Sequence, residues 1–164
     1  MWRVGVVVGV LCVVLVAACA GGASKPSLDA SLPGPTSTAM NGKVVIGDTT
    51  YEFTMTCYAP GAGSVVAVGS GTEPGTGRST RALVQAFFRD PYVAVTVGNN
   101  EIVYEPSLDE PIDLVYQDDV VRGGAIQFVK NLDLRSRLGA DAGLGAVTVT
   151  CSNYRSGLPP GYGN

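Results

Sequence analysis

Two stretches of this chain alternate apolar and polar side chains and each ends in a cysteine. In Thr50–Cys57 the residues Tyr51, Phe53, Met55 and Cys57 share one face of an extended strand, while Glu52, Thr54 and Thr56 share the other. In Ala146–Cys151 the residues Val147, Val149 and Cys151 again stand opposite Thr148 and Thr150. A period of two sustained over such lengths makes both segments half-buried strands with their cysteines facing the core. Shorter runs repeat the theme. Lys43–Ile46, Gly47-Asp48 and the strand from Thr50 form an opening hairpin, Ser64–Gly69 adds a strand, and Tyr92–Gly98 and Glu101–Tyr104 flank the turn Asn99-Asn100. Ile112–Tyr116 and Ala125–Val129 supply two more. The 22 glycines and 10 prolines provide the turns, and 46% hydrophobic against 15% charged residues suits a packed core and excludes a charge-rich disordered chain. One segment breaks the pattern. Ser79–Arg89 opens on a capping hydroxyl and pairs Leu83 with Phe87 and Val84 with Phe88, which predicts a short helix ended by Asp90-Pro91. The expected fold is mainly β (α+β): a twisted antiparallel sheet or small sandwich with one short helix. With 164 residues there is room for one core.

The first 40 residues read differently. Val4–Ala18 carries no charge, yet falls short of the roughly 20 apolar residues that a spanning helix needs, and it follows the single basic residue Arg3. Residues 1–18 therefore predict an export signal. Leu15-Val16-Ala17-Ala18-Cys19 resembles the bacterial lipobox: an aliphatic residue three before the cysteine, two small residues, then the cysteine. What that resemblance implies is diacylglyceryl transfer to the Cys19 thiol, cleavage after Ala18, and a mature chain that begins at a lipidated cysteine. Acyl chains bury methylenes at roughly 0.8 kcal/mol each, so two or three of them anchor permanently where one would not. Residues 19–40, rich in Pro, Ser and small residues, read as a tether. Thr36, Ser37 and Thr38 beside Pro35 are candidate O-glycosylation sites, although a bare spacer explains the same composition. Residues 41–152 form the expected domain and residues 153–164 a loose tail.

Of the 4 cysteines, Cys12 lies in the signal and Cys19 in the lipobox-like motif, which leaves Cys57 and Cys151. An exported compartment permits disulfides, and neither a histidine nor a Cys-x-x-Cys spacing hints at thiol chemistry. A Cys57–Cys151 bridge would close a span of 94 residues and join the first long strand to the last. It is expected to hold the Cα atoms roughly 5–6 Å apart.

Taken together, the lipobox-like cysteine, the tether, the Lys43-Val-Val-Ile46 strand, the Thr-Cys57 strand before Ser64-Val-Val-Ala-Val-Gly69, and the closing Val147-Thr-Val-Thr-Cys151-Ser152 resemble the mycobacterial nineteen-kilodalton lipoprotein antigen family (LpqH-like). The resemblance implies a surface-exposed cell-envelope lipoprotein with an acylated amino terminus sensed by host innate receptors, frequent tether glycosylation and no established enzymatic activity. The segment Lys130–Arg137 and the extended tail depart from it.

Composition narrows function in the same direction. A net charge of −3 lacks the basic excess that nucleic acid or anionic lipid heads require. Without histidine the usual general base and the commonest metal ligand are both missing. Thr72–Ser79 approaches a phosphate-binding loop between a strand and the expected helix, but Thr72 stands where the first glycine belongs and Arg78 where the lysine belongs, so it reads as a turn. Asp109, Glu110, Asp113, Asp118 and Asp119 are dense in carboxylates without an EF-hand spacing, and read as solvated loop and edge charges. Arg122, Lys130, Arg135 and Arg137 read as the exposed side of a buried run. The expectation is a non-enzymatic, membrane-anchored envelope protein, held by acyl chains on Cys19, without cofactor or metal, acting by display to a host receptor or envelope partner. The alternative is a carrier of an apolar envelope lipid in a pocket beneath Ala82–Phe88.

Overall fold

The computed structural model describes residues 39–162; Cys12, Cys19, Thr36, Ser37 and Thr38, with the roles expected of them, lie outside these. The described residues form ten strands and no helix: β1 (Gly42–Ile46), β2 (Thr49–Gly61), β3 (Ser64–Thr72), β4 (Ser79–Ala86), β5 (Tyr92–Val97), β6 (Ile102–Pro106), β7 (Val115–Gln117), β8 (Val120–Asp133), β9 (Leu138–Thr150) and β10 (Tyr154–Ser156). Eight of them close into an antiparallel barrel, because the path β1-β9-β8-β6-β5-β4-β3-β2 is completed by pairing β1 to β2. β7 folds back on β8, and β10 adds in parallel to β2. The mainly β expectation holds, and the sheet is closed on itself rather than open or doubled.

The expected short helix over Ser79–Arg89 is corrected to β4. The segment carries two periods at once: Leu83/Phe87 and Val84/Phe88 suit a helix, while Thr80, Ala82, Val84 and Ala86 alternate inward. Partners decide between them. β4 is paired along Ser79–Ala86 with β3 and along Thr80–Gln85 with β5. A helix there would leave two edges with unsatisfied backbone groups and open the barrel. Phe88, which the helix would have packed, stands 98% exposed.

Strict alternation fills the barrel. Tyr51, Phe53, Met55 and Cys57 point inward from β2, Val44 and Ile46 from β1, Val93, Val95 and Val97 from β5, and Val147 and Val149 from β9. Phe53 and Phe128 are the largest fully buried side chains. Outward positions such as Glu52 and Arg122 are polar, the reverse of the apolar-out alternation of a transmembrane barrel. Long strands must bend to close so small a barrel. β8 and β9 do so through register shifts at Gly123/Ile126, Phe128/Val129 and Lys130/Asp133, with Ala125 and Asn131 at positive φ. At Gly145 the strand passes so close to the Val45 carbonyl that a Cβ would collide with it and come within 2.8 Å of the Phe128 ring. Only glycine fits there.

Cys57 and Cys151 are bonded, with Cα atoms 5.8 Å apart across 94 residues. The chain beyond them does not hang loose as the sequence suggests. β10 runs beside Cys57–Ala59, Pro159 is buried, and the Tyr162 hydroxyl donates to Gln85 on β4. Tyr58 and Val66, buried yet outside the core, lie on the outer face that this segment crosses.

Candidate functional site

Strand parity places a polar cluster at one end of the barrel. Glu73 and Arg78 continue the inward faces of β3 and β4 by one step, Tyr51 and Tyr104 line the interior below them, and Lys130 pairs with Tyr104 across β6 and β8. The Arg78 Nε donates to Glu73 Oε2 at 2.7 Å and its Nη2 to Glu73 Oε1 at 3.0 Å, a bidentate pair, while Nη1 reaches Glu101 Oε2 at 3.3 Å. The Thr76 hydroxyl also donates to Glu73. Arg78 and then Thr76 hold the Glu73 carboxyl below the ordinary carboxylate range, and Glu73 in turn raises the Arg78 guanidinium. Tyr51, whose ring lies 6.0 Å from that of Tyr104, is pushed far above the ordinary phenol value, first by burial and then by its hydrogen bond to Tyr104. Within this cluster the Arg78 guanidinium is spent on Glu73 and Glu101 and the Thr76 hydroxyl on Glu73, so these groups tie the mouth of the barrel together. The loop that resembles a phosphate cradle is this plug's cover: residues 73–78 join two strands, and Arg78 is occupied by Glu73.

The other end is closed by the disulfide and by Leu114, which packs under the β7 hairpin with Ile112 and Tyr116. A latch lies beside it. The Tyr154 hydroxyl donates to Asp119 Oδ1 at 2.7 Å and stands 2.6 Å from the Tyr116 hydroxyl, and the Cys151 N–H donates to the Asp119 carbonyl at 2.8 Å. Asp118 and Asp119 form the β7–β8 turn at positive φ, which Asp tolerates better than most side chains. Their carboxylates are therefore turn residues, while Asp109, Glu110 and Asp113 belong to the β6–β7 loop. Among the described residues no three acidic or cysteine side chains gather as a metal-binding group.

That loop forms one wall of a groove of about 930 Å³ on the outside of the barrel, beside β5, β6 and the end of β8. Phe88, Leu108 and Leu134, exposed by 98%, 42% and 75%, line it together with Pro91 and Pro111. Ser107 N–H donates to the Gln127 carbonyl at 2.8 Å, and Arg137 donates to the Leu108 carbonyl at 3.1 Å, which fixes the loop against the barrel. Within it the Tyr92 hydroxyl donates to Glu105. The pocket expected beneath Ala82–Phe88 is thus corrected in place: Ala82, Val84 and Ala86 are buried in a filled core, and the concavity lies outside it at Phe88. Sequence reasoning missed the groove. Its most exposed apolar residues, Phe88, Leu108 and Leu134, come from three loops and show no period; the one signal was Phe87-Phe88 directly before Arg-Asp-Pro, an apolar pair at a turn.

No protein-family model matches the chain, and neither a curated protein nor a solved structure matches it.

Proposed function

We propose that this protein is a lipid-anchored cell-envelope lipoprotein of the mycobacterial nineteen-kilodalton antigen type, non-enzymatic, held at the extracytoplasmic face of the membrane by acyl chains on Cys19 and acting by display and recognition. The observation that carries the reading is the Leu15–Cys19 motif in a chain whose other candidate cysteines, Cys57 and Cys151, are bonded to each other. The filled barrel supports it: with Phe53, Phe128 and the valines occupying the interior, the domain is a rigid body that presents its outer surface. The tether, with Thr36, Ser37 and Thr38 as glycosylation candidates, would hold that surface away from the membrane. Mass spectrometry of the native protein tests the anchor, with Cys19 expected as the acylated first residue. The Cys19→Ala protein is expected to leave the membrane fraction with the same melting temperature as the acylated form. An unmodified Cys19 or cleavage at another bond would sink the reading.

The groove favours a second reading, a binding module for an apolar envelope molecule. A concavity of this size with exposed aromatic and aliphatic walls is the kind of site that takes small ligands. Native mass spectrometry of the exported domain is expected to show a copurifying ligand, lost in Phe88→Ser.

A further inference from the structure

We infer that the groove beneath the β6–β7 loop takes an apolar chain whose polar end is cationic and discriminates against the same chain with an anionic end. This rests on the apolar-ligand reading above and adds to it the sign of the ligand's charge.

The apolar part comes from exposure and place. Phe88 and Leu134 leave most of their surface in water, on one concavity and next to Leu108. Scattered apolar side chains on a surface mean little, but three gathered on one concave wall with prolines on two of the loops mark a surface that gains by being covered. The charge comes from the rim. Asp90, Glu105, Asp109, Glu110 and Asp113 border the groove, with Arg89 as the one basic lining residue. Arg137 stands at this rim, held by the Leu108 carbonyl at 3.1 Å, but it offsets only part of the negative charge, because its contact with Asp109 is 3.9 Å between two exposed side chains, a geometry worth little. Among the described salt bridges none involves Glu105, Glu110 or Asp113. Glu105 has a neutral partner: the Tyr92 phenol, raised well above its ordinary value by burial and then by its hydrogen bond to Glu105, remains a donor. An ammonium entering with an apolar chain would meet a rim of carboxylates, four of them solvent-exposed, whereas a sulfate or phosphate would meet repulsion from the same groups.

The test uses the domain Pro35–Asn164, since the closed circuit of strands, its core and its disulfide all fall inside it. Three probes of equal chain length, dodecyltrimethylammonium, dodecyl maltoside and dodecyl sulfate, are titrated below micelle formation while the methyl signals of Leu108 and Leu134 are followed by NMR. The ammonium probe is expected to bind about tenfold or more tightly than the sulfate, with the maltoside between, and the gap to shrink as salt is raised. Asp109→Asn combined with Glu110→Gln and Asp113→Asn should narrow the gap, whereas Phe88→Ser should weaken all three probes together. Both sets of changes fall on exposed loops, so the fold is retained. Sulfate binding as tight as ammonium, or a gap unchanged in the triple variant, overturns the charge inference and leaves the apolar-ligand reading standing. Failure of all three probes to shift the Leu108 and Leu134 signals, or a dimer that covers the groove and dissolves in Phe88→Ser, overturns both.

Discussion

The two ends of the barrel are closed by opposite chemistry. At one end Cys57 and Cys151, each about 1% exposed, lock β2 to the chain after β9 with a covalent bond. At the other end Glu73, Arg78, Tyr51 and Tyr104 close the mouth with hydrogen bonds and charge. The first closure acts on the whole chain, because a link across 94 residues constrains the unfolded state. The second acts locally, since both partners of the Glu73–Arg78 pair sit on one hairpin, five residues apart, and tie down little of the chain. The closed circuit leaves an unpaired edge only on the three-residue strands β7 and β10, so its ends are what chiefly remain to be sealed. This chain seals one against unfolding and the other against water.

The largest effect that separates the two ends should come from the disulfide. Cys57→Ala with Cys151→Ala is expected to cost roughly 4–5 kcal/mol on the chain-entropy account, which corresponds to a fall in melting temperature of roughly 15–20 °C for a domain of this size. Calorimetry at neutral and mildly acid pH should show the same loss, since neither cysteine titrates once bonded. Burial of both sulfurs further predicts that thiol reductant acts on the native protein only as fast as this end opens. A melting temperature within a few degrees of the parent would mean that barrel closure alone holds the fold, and the contrast between the ends would lose its basis.

Next in size is the latch beside the disulfide. Tyr154→Phe removes the donor to Asp119 and the hydroxyl facing Tyr116, in a contact that is partly solvated, so a loss of about 1 kcal/mol is expected in denaturant unfolding. Hydrogen exchange should locate the change: the Cys151 amide, which donates to the Asp119 carbonyl, should exchange faster while amides of β4 and β5 stay protected. Equal acceleration across the barrel would show that the latch is part of the global structure rather than a clip on one end.

The disulfide end was legible in the sequence and the polar end was not, and the reason is physical. Tyr51, Phe53, Met55 and Cys57 announce their face by a period of two, and so do Val147, Val149 and Cys151; a cysteine at the end of each pattern then leaves little freedom. Glu73 and Arg78 carry no such sign, because the inward parity of β3 and β4 extends past the strand ends into a loop whose residue types read as solvated turn. Closure was hidden for the same kind of reason. The pairing of β1 with both β2 and β9 depends on which edges meet in space, and alternation records only which side of a strand faces inward. The helix expected at Ser79–Arg89 failed where two periods overlapped in one segment and the neighbouring strands chose between them. The groove wall, drawn from Phe88, Leu108 and Leu134, is assembled from loops and had no period to read.

The smallest effect belongs to the polar end, and its sign follows from the direction in which Glu73 is displaced. Arg78 and Thr76 favour the ionised carboxylate in the folded protein, so Glu73 binds its proton less readily there than in the unfolded chain. The stabilisation it provides is therefore complete above the unfolded value, about 4.3 for Glu, and is lost as pH falls through the lower folded value. At neutral pH the plug is intact; in acid it weakens while the disulfide end is unaffected. Glu73→Gln keeps the shape and the acceptor oxygen but removes the titration, so the variant should be slightly less stable than the parent at pH 7, and the two curves of stability against pH should converge in acid, once pH has fallen through the lowered folded value. Salt should reduce the difference at pH 7 because the pair lies at the barrel's mouth, where ions reach it. In the double-cysteine variant, with global stability lowered, the same acid step should occupy a larger share of what remains. Should Glu73→Gln instead follow the parent's curve at every pH, the mouth would be held shut by Tyr51 and Tyr104 packing alone, and charge would have no part in sealing it.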